Sequence, residues 1–134
     1  MPRNGTALIR RVFDAFSHRD VEAIVALSDA AIELRLPTAQ RANRGEPYFG
    51  HEGIRRYFDD IGRVWEELRV VPQDFRELDD GVFVTGRVYA RAESGLVVDS
   101  PAFWLWRIRE NLVMSGQVFE NRDAALKAAG LEGE

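Results

Sequence analysis

Apolar residues near the start of the chain recur every three or four positions, which is the spacing of an amphipathic helix. This pattern predicts a first helix from Thr6, its N-cap, to Ser17. A second, shorter helix is predicted in RDVEAIVALSD, with Asp20 near its start, and a third in HEGIRRYFDDIGRVWEEL. The apolar stripe of the third helix consists of Ile54, Tyr57, Phe58, Ile61, Trp65 and Leu68.

Alternating apolar and polar residues predict strands in most of the remaining chain. AIELRLP predicts a strand that ends at Pro37, and a polar loop follows over residues 38–50. RVVPQDFREL, VFVTGRVYARAE, LVVDSPAFWLWRIR and LVMSGQVFEN predict further strands, and RDAALKAAGL predicts a short closing helix with Gly130 as its stop signal. Helices followed by antiparallel strands indicate an α+β fold with the helices on one face of the sheet.

The stretch SPAFWLWRIRE is apolar on both of its predicted faces. In a strand, Trp104 and Trp106 share one face, and Phe103 and Leu105 share the other. We interpret this as a curved antiparallel sheet whose concave face wraps a pocket that the helices close. Its convex face, with Tyr89, Phe103 and Leu105, would leave an apolar patch in a monomer. We therefore expect a homodimer through this face.

The composition is that of a small globular domain. The 134 residues carry a net charge of −4, with acids and arginines interleaved, so we expect one domain over residues 1–134 and no nucleic-acid partner. No apolar run reaches the ~18 residues of a membrane span, and MPRNGTALIRR has no signal-peptide core. Cysteine is absent, which excludes thiolate chemistry and is consistent with a cytoplasmic location.

The two histidines offer no metal site. His18 and His51 are far apart, and neither has a carboxylate at ligand spacing. We expect His51, directly after Gly50, to serve helix entry, and a place at the rim of the pocket is the alternative. There is no glycine-rich phosphate loop or Ser–His–Asp pattern, so we expect neither a metal ion nor a cofactor.

Three segments, HRDVEAIVALSD, YFGHEGIRRYF and ENRDAALKAAGL, stand in an order and spacing that resemble the SnoaL-like branch of the nuclear transport factor 2-like superfamily. The resemblance covers nearly the whole chain. It implies a cone-shaped α+β fold with a deep pocket and, commonly, a dimer. Polyketide cyclases, ketosteroid isomerase, limonene epoxide hydrolase, dehydratases and non-catalytic proteins share this fold, so it implies little about a reaction.

The catalytic positions of these relatives are altered in this chain. Where ketosteroid isomerase has its general-base aspartate, its oxyanion-hole tyrosine and its protonated aspartate, the resemblance places Leu36, Val12 and Trp104. The stretch VVDSP lacks the arginine that the epoxide hydrolase has two residues before its aspartate. The acid/base aspartate of the SnoaL cyclases corresponds best to Asn121, with Asp123 close by.

We expect an apolar pocket with a few amide groups, the usual form of a small-molecule site. Gly86 and Ala90 are small and leave room beside the tryptophans. The alternative is that the same side chains simply fill a closed core. The predicted ligand-binding residues are Leu36, Tyr57, Trp65, Val88, Trp104, Trp106, Ser115, Gln117, Phe119 and Asn121.

Asp99 is the candidate catalytic acid or base. Strict alternation places it on the convex face, but Pro101 cannot donate a hydrogen bond to a neighbouring strand. A one-residue bulge at Ser100–Pro101 would turn Asp99 toward the side of Trp104, where burial would raise the pKa of its carboxyl.

Two functions from different classes remain open. The first is binding of a small apolar, cyclic metabolite, with a cofactor-free cyclisation, isomerisation or dehydration if the protein is an enzyme. The second is a non-catalytic ligand-sensing or partner-binding subunit, which the altered catalytic positions favour. A cavity of roughly 300 Å3 or more with a polar group would favour a ligand site, and a closed core would favour partner binding.

Overall fold

The computed structural model describes residues 5–36, 46–119 and 121–131. Its order of helices and strands confirms the predicted α+β class. None of the helices in these ranges has the length and apolar character of a membrane span. The elements are α1 (Gly5–Ser17), α2 (Val21–Ala26), β1 (Ser28–Arg35), β2 (Tyr48–Phe49), α3 (Gly50–Val64), β3 (Glu67–Glu77), β4 (Gly81–Arg91), β5 (Val97–Arg109), β6 (Leu112–Phe119) and α4 (Arg122–Ala129).

The described strands form a curved, open six-stranded sheet in the order β2-β1-β6-β5-β4-β3. Most neighbouring strands are antiparallel, as predicted, but β1 and β6 run parallel. The reason is that β3 to β6 form successive hairpins, which bring β6 back beside β1 in the same direction. In the predicted loop over residues 38–50, positions 48–49 form β2, and positions 38–45 lie outside the described residues.

The start of α2 and the end of α4 follow local sequence signals, whereas a residue of a distant strand binds the start of α1. The carboxylate of Asp20 caps α2 by accepting a hydrogen bond from the N–H of Ala23 at 3.2 Å. Gly130 ends α4 with a φ of 75°, a conformation that favours glycine. Thr6 is not the N-cap of α1, because the helix already begins at Gly5. The N–H of Thr6 instead donates to Oε1 of Glu77, on β3, at 3.0 Å.

Two apolar clusters pack on opposite faces of the sheet. The larger lies between the concave face and helices α1 to α3. The smaller lies on the convex face, where Ala125 and Leu126 of α4 pack with Phe83 and Phe103. The C-terminal helix therefore covers part of the convex face within one chain.

This second cluster corrects the predicted dimer interface. Phe103 and Leu105 are only 7% and 6% exposed in the single chain, so neither presents an apolar patch to a second copy. Tyr89 lies on the same face, with the guanidinium carbon of Arg69 4.8 Å from its ring centre. The convex-face homodimer is not supported by these positions, and a dimer through another surface stays a prediction.

Replacing Gly62 by alanine is expected to raise the free energy of unfolding by about 0.5–1 kcal/mol, the usual difference between these residues within a helix. Gly62 is exposed near the end of α3, and a Cβ at this position would meet no atom within 4 Å. Urea denaturation of the two proteins measures the change. A decrease would contradict the regular helix at this position.

Candidate functional site

An apolar cavity of about 70 Å3 lies between the helices and the concave face of the sheet. Helix α1 contributes Phe13 and Phe16 to its wall, and α3 contributes Tyr57 and Phe58. The opposite wall is formed by side chains of the strands and by Leu36, just after β1. The structure therefore places a cavity where the sequence predicts a pocket, but a much smaller one than the roughly 300 Å3 typical of ligand sites.

The two tryptophans of β5 stand side by side in this wall. Trp104 and Trp106 both meet the ring of Phe13 edge to face, with ring centres 5.2 and 5.8 Å apart. The pairing of β4 with β5 explains their direction, since Val84 opposes Trp104 and Val82 opposes Trp106 without a shift in register. Among the predicted ligand-binding residues, those that line the cavity are Leu36, Tyr57, Val88, Trp104 and Trp106.

A β-bulge in β6 changes which of its side chains face the cavity. Val113 and Val118 both line the cavity, although strict alternation would put them on opposite faces. The register between β5 and β6 shifts by one residue at Met114, and after it Gly116 pairs with Trp106. The inward orientation predicted for Ser115, Gln117 and Phe119 is therefore wrong, and these side chains lie on the convex face.

Two further predicted residues lie outside the cavity wall. The side chain of Asn121 caps α4 by accepting a hydrogen bond from the N–H of Ala124 at 3.1 Å, and Asp123 lies in the first turn of that helix. Trp65 follows the end of α3 with an extended backbone, φ −118° and ψ 133°. It therefore leaves the helical stripe that α3 presents to the cavity, and it packs at the border of the main cluster.

Asp99 lies on the convex face, because the bulge predicted at Ser100–Pro101 does not form. The pairing of β4 with β5 runs without a shift along their whole length, and Asp99 opposes Tyr89. Its carboxylate is 58% exposed and forms an ion pair with Arg87 at 3.0 Å. Proline is tolerated here because, among the described residues, β6 pairs with β5 only from Phe103 onward, so that no described strand lies beside Pro101 on that side.

Asp60 is the buried acid among the described residues. It accepts a hydrogen bond from the hydroxyl of Tyr48 at 2.6 Å and pairs with Arg63. Burial tends to raise the pKa of the Asp60 carboxyl, but the hydrogen bonds from Tyr48 and Arg63 and the charge of Arg63 lower it below its usual value. Asp60 does not line the cavity, so this ionised carboxylate serves the packing of β2 on α3.

Asp60 was not among the predicted functional residues, although the sequence carries a signal for it. Position 60 lies three residues after Tyr57 and one before Ile61, within the apolar stripe of α3. A carboxylate in such a stripe is buried with its partners. Phe13 and Phe16, which were predicted only as part of a helical stripe, were also missed as cavity residues.

The polar groups of the cavity wall are few. The Ser28 hydroxyl donates to the carbonyl oxygen of Ile24 at 2.7 Å. His51 lies in the first turn of α3, and its Nε2 is 3.0 Å from the carbonyl oxygen of Ser28. Nε1 of Trp106 is buried and has no hydrogen-bond partner among the described residues. Within the same ranges no cluster of side chains could hold a metal ion. The wall therefore presents a mainly apolar surface to a ligand.

Comparison with known proteins identifies the family. A model of the SnoaL-like domain matches residues 9–115. No curated protein matches the sequence. Among solved structures, an NTF2-like protein of unknown function from Burkholderia pseudomallei has a TM-score of 0.79 at 16% identity, with 96% of this chain and 98% of that chain covered.

Two further structures of this fold contain small molecules. TerC co-crystallised with polyporic acid has a TM-score of 0.78 at 20% identity, with 95% of this chain and 98% of that chain covered. A hypothetical protein with a ketosteroid isomerase-like fold, from Catenulispora acidiphila and in complex with trimethylamine, has a TM-score of 0.72 at 17% identity, and 92% of each chain is covered. At these identities the likeness shows the fold alone. Because the family model matches most of its length, the chain belongs to the SnoaL-like domain family.

Proposed function

We propose that this protein binds a small apolar molecule with one hydrogen-bond acceptor, such as a ketone or an ether, and does not catalyse acid–base chemistry on it. The observation that carries the proposal is the unpartnered N–H of Trp106, a residue of the apolar cavity wall. A buried N–H without an acceptor costs ~1–3 kcal/mol. A ligand that accepts from it removes this cost and gains the burial of its apolar surface.

The size of the cavity limits the ligand. An engineered apolar cavity of about 150 Å3 holds benzene, whereas this one measures about 70 Å3. A six-membered ring therefore fits only if the aromatic side chains of the wall move, and we infer that they move when the ligand binds. Structures of this fold in complex with trimethylamine and with polyporic acid support ligands of different sizes.

The wall also supports binding without catalysis. General acid–base catalysis needs a group that gains or loses a proton near the working pH. In the described part of the chain, no aspartate, glutamate or histidine side chain lines the cavity, and Tyr57 is the titratable residue of the wall. A phenol ordinarily loses its proton well above neutral pH. The proposal thus favours a ligand-carrying or ligand-sensing protein over a cyclase, isomerase or dehydratase.

The cytoplasmic location inferred from the lack of cysteine stays a prediction.

Replacing Trp106 by phenylalanine is expected to weaken the binding of cyclohexanone about 10-fold or more, the equivalent of one hydrogen bond of ~1.4 kcal/mol or more. Binding of cyclohexane, which has no acceptor, is expected to change less. In the unchanged protein, cyclohexanone but not cyclohexane shifts the indole N–H signal of Trp106 in a 1H–15N NMR spectrum.

Trp104→Phe provides the matched control, because it is the same change in the same wall and leaves the N–H of Trp106 in place. It is expected to alter the affinity for both ligands equally. Equal cyclohexanone affinity in the Trp106→Phe variant and the unchanged protein would contradict the role of the N–H. No binding of either ligand would contradict the proposed function itself.

A further inference from the structure

The rim of the cavity is marked by the wall residues that remain partly exposed. These include Phe16 of α1, Phe58 of α3 and Val70 of β3. The cavity therefore approaches the surface where α1, α3 and β3 meet. This place can accept a polar or charged group of a bound ligand that does not fit the apolar interior.

Arg19 stands at this rim and joins two of the three elements. Its guanidinium carbon is 4.4 Å from the ring centre of Phe16. Nη1 donates to the carbonyl oxygen of Phe16 and Nη2 to the carbonyl oxygen of Leu68, each at 2.6 Å. These contacts hold the guanidinium plane in one orientation beside the cavity wall.

The charge of Arg19 has no counter-ion within the described residues, since no carboxylate forms an ion pair with it. Arginine has five N–H donors, and the hydrogen bonds to the carbonyl oxygens of Phe16 and Leu68 use two of them. By contrast, Arg55 is paired with Glu22 and Glu52, and Arg91 with Glu66. An oriented guanidinium with free donors suits a carboxylate, whose two oxygens match its geometry.

The backbone of Arg19 also favours a role for its side chain. Its φ is 54°, in the left-handed region where glycine is the usual residue after a helix. A bulky residue at such a position is strained and is retained where surrounding contacts hold it. The two hydrogen bonds and the Phe16 contact are such contacts, and all three belong to the guanidinium.

We infer that Arg19 binds an anionic group at the rim of the cavity, so that the ligand is an apolar carboxylic acid that also carries the hydrogen-bond acceptor for Trp106. This inference rests on the proposed function, because the apolar part of the ligand and this acceptor occupy the cavity. The carboxylate stays at the surface, where its hydration is only partly lost. Recognition by Arg19 then selects acids over neutral molecules of the same shape.

Two ligands of the same shape test this selection. 4-Oxocyclohexanecarboxylate is expected to bind the unchanged protein about 10-fold more tightly than 4-oxocyclohexanecarboxamide at pH 7, as measured by titration calorimetry. Arg19→Gln is expected to abolish the difference by weakening only the carboxylate, and Arg19→Lys is expected to retain part of it. Added salt should weaken binding of the carboxylate and leave that of the carboxamide unchanged.

Arg69→Gln is the matched control, because Arg69 lies over Tyr89 on the convex face much as Arg19 lies over Phe16. It is expected to leave both affinities unchanged. Equal losses for the acid and the amide in Arg19→Gln would show that Arg19 only joins α1 to β3, and would overturn the inference. If cyclohexanone binds through Trp106 but the acid is not preferred, this inference fails and the proposed function stands. If none of the ligands binds, both fail.

Discussion

Replacing Asp60 by alanine is expected to lower the free energy of unfolding by about 3 kcal/mol, because two favourable terms are lost together. Asp60 is 1% exposed, and its carboxylate accepts the hydroxyl hydrogen bond of Tyr48, a residue that is itself buried. Without this acceptor the buried hydroxyl loses its 2.6 Å hydrogen bond, at a cost of ~1–3 kcal/mol. The packing of α3 against β2 around the side chain is lost as well. Urea denaturation followed by tryptophan fluorescence measures the change.

Replacing Asp60 by asparagine tests the hydrogen bond with Tyr48 separately from the negative charge of the carboxylate. Its side-chain oxygen still accepts from Tyr48, and only the ion pair with Arg63 is lost. The Arg63 side chain is 74% exposed, and ion pairs at such positions are worth ~0–1 kcal/mol. Asp60→Asn is therefore expected to cost about 1 kcal/mol or less. Equal losses for alanine and asparagine would contradict the role of the Tyr48 hydrogen bond.

The same carboxylate is expected to make the protein less stable in acid. The pKa of Asp60 is lower in the folded protein than its usual value, because the contributions of Tyr48 and Arg63 outweigh that of burial. The stabilisation is therefore complete above the unfolded pKa, about 4, and is lost as the pH falls through the folded pKa. The free energy of unfolding of Asp60→Asn should depend less on pH below about 5. Identical pH dependence in both proteins would argue against an ionised Asp60.

Replacing Gly81 by alanine is expected to lower the free energy of unfolding by about 3 kcal/mol, the upper end of the usual cost of overpacking. The new Cβ would stand 1.9 Å from the carbonyl oxygen of Trp106 on the neighbouring strand. The clash involves the backbone, so no side-chain rotation relieves it. Strands β4 and β5 have to separate at Trp106, and cyclohexanone binding should weaken in parallel.

Gly62→Ala is the matched control for Gly81→Ala, since the same methyl group is added where nothing obstructs it. The two changes are expected to have opposite signs in the same urea experiment. A loss below about 1 kcal/mol at Gly81 would mean that the strands yield easily at this point.

The pattern of apolar and polar residues correctly predicted the face on which side chains lie wherever the strands pair without a shift in register. Alternation along β5 places Trp104 and Trp106 on the concave face, and the pairing with β4 keeps that assignment over its whole length. The stripes of α1 and α3 likewise identify the helix faces that meet the sheet. In these elements each side chain's face follows from its position in the chain.

Alternation failed where one extra residue shifts the pairing. The bulge at Met114 turns Ser115 and Gln117 outward, and nothing in the surrounding sequence distinguishes Met114 from a regular strand residue. At Pro101 the proline suggested a bulge that does not form, because β6 ends before reaching it. Whether an irregular residue distorts a strand depends on its neighbours across the sheet, which are distant in sequence.

The amino-acid sequence by itself determined the α+β class, the family, and the place of Tyr57, Trp104 and Trp106 in the wall of a pocket. Only the tertiary structure decided that Phe13 and Phe16 join this wall, that α4 covers Phe103, that Asp60 is buried against Tyr48, and that the N–H of Trp106 has no partner among the described residues. The physical reason is that periodicity fixes the face on which a side chain lies, through backbone geometry alone. The side chains that pack against that face come from segments distant in sequence. Cavity volume and the pairing of buried hydrogen-bonding groups depend on this packing.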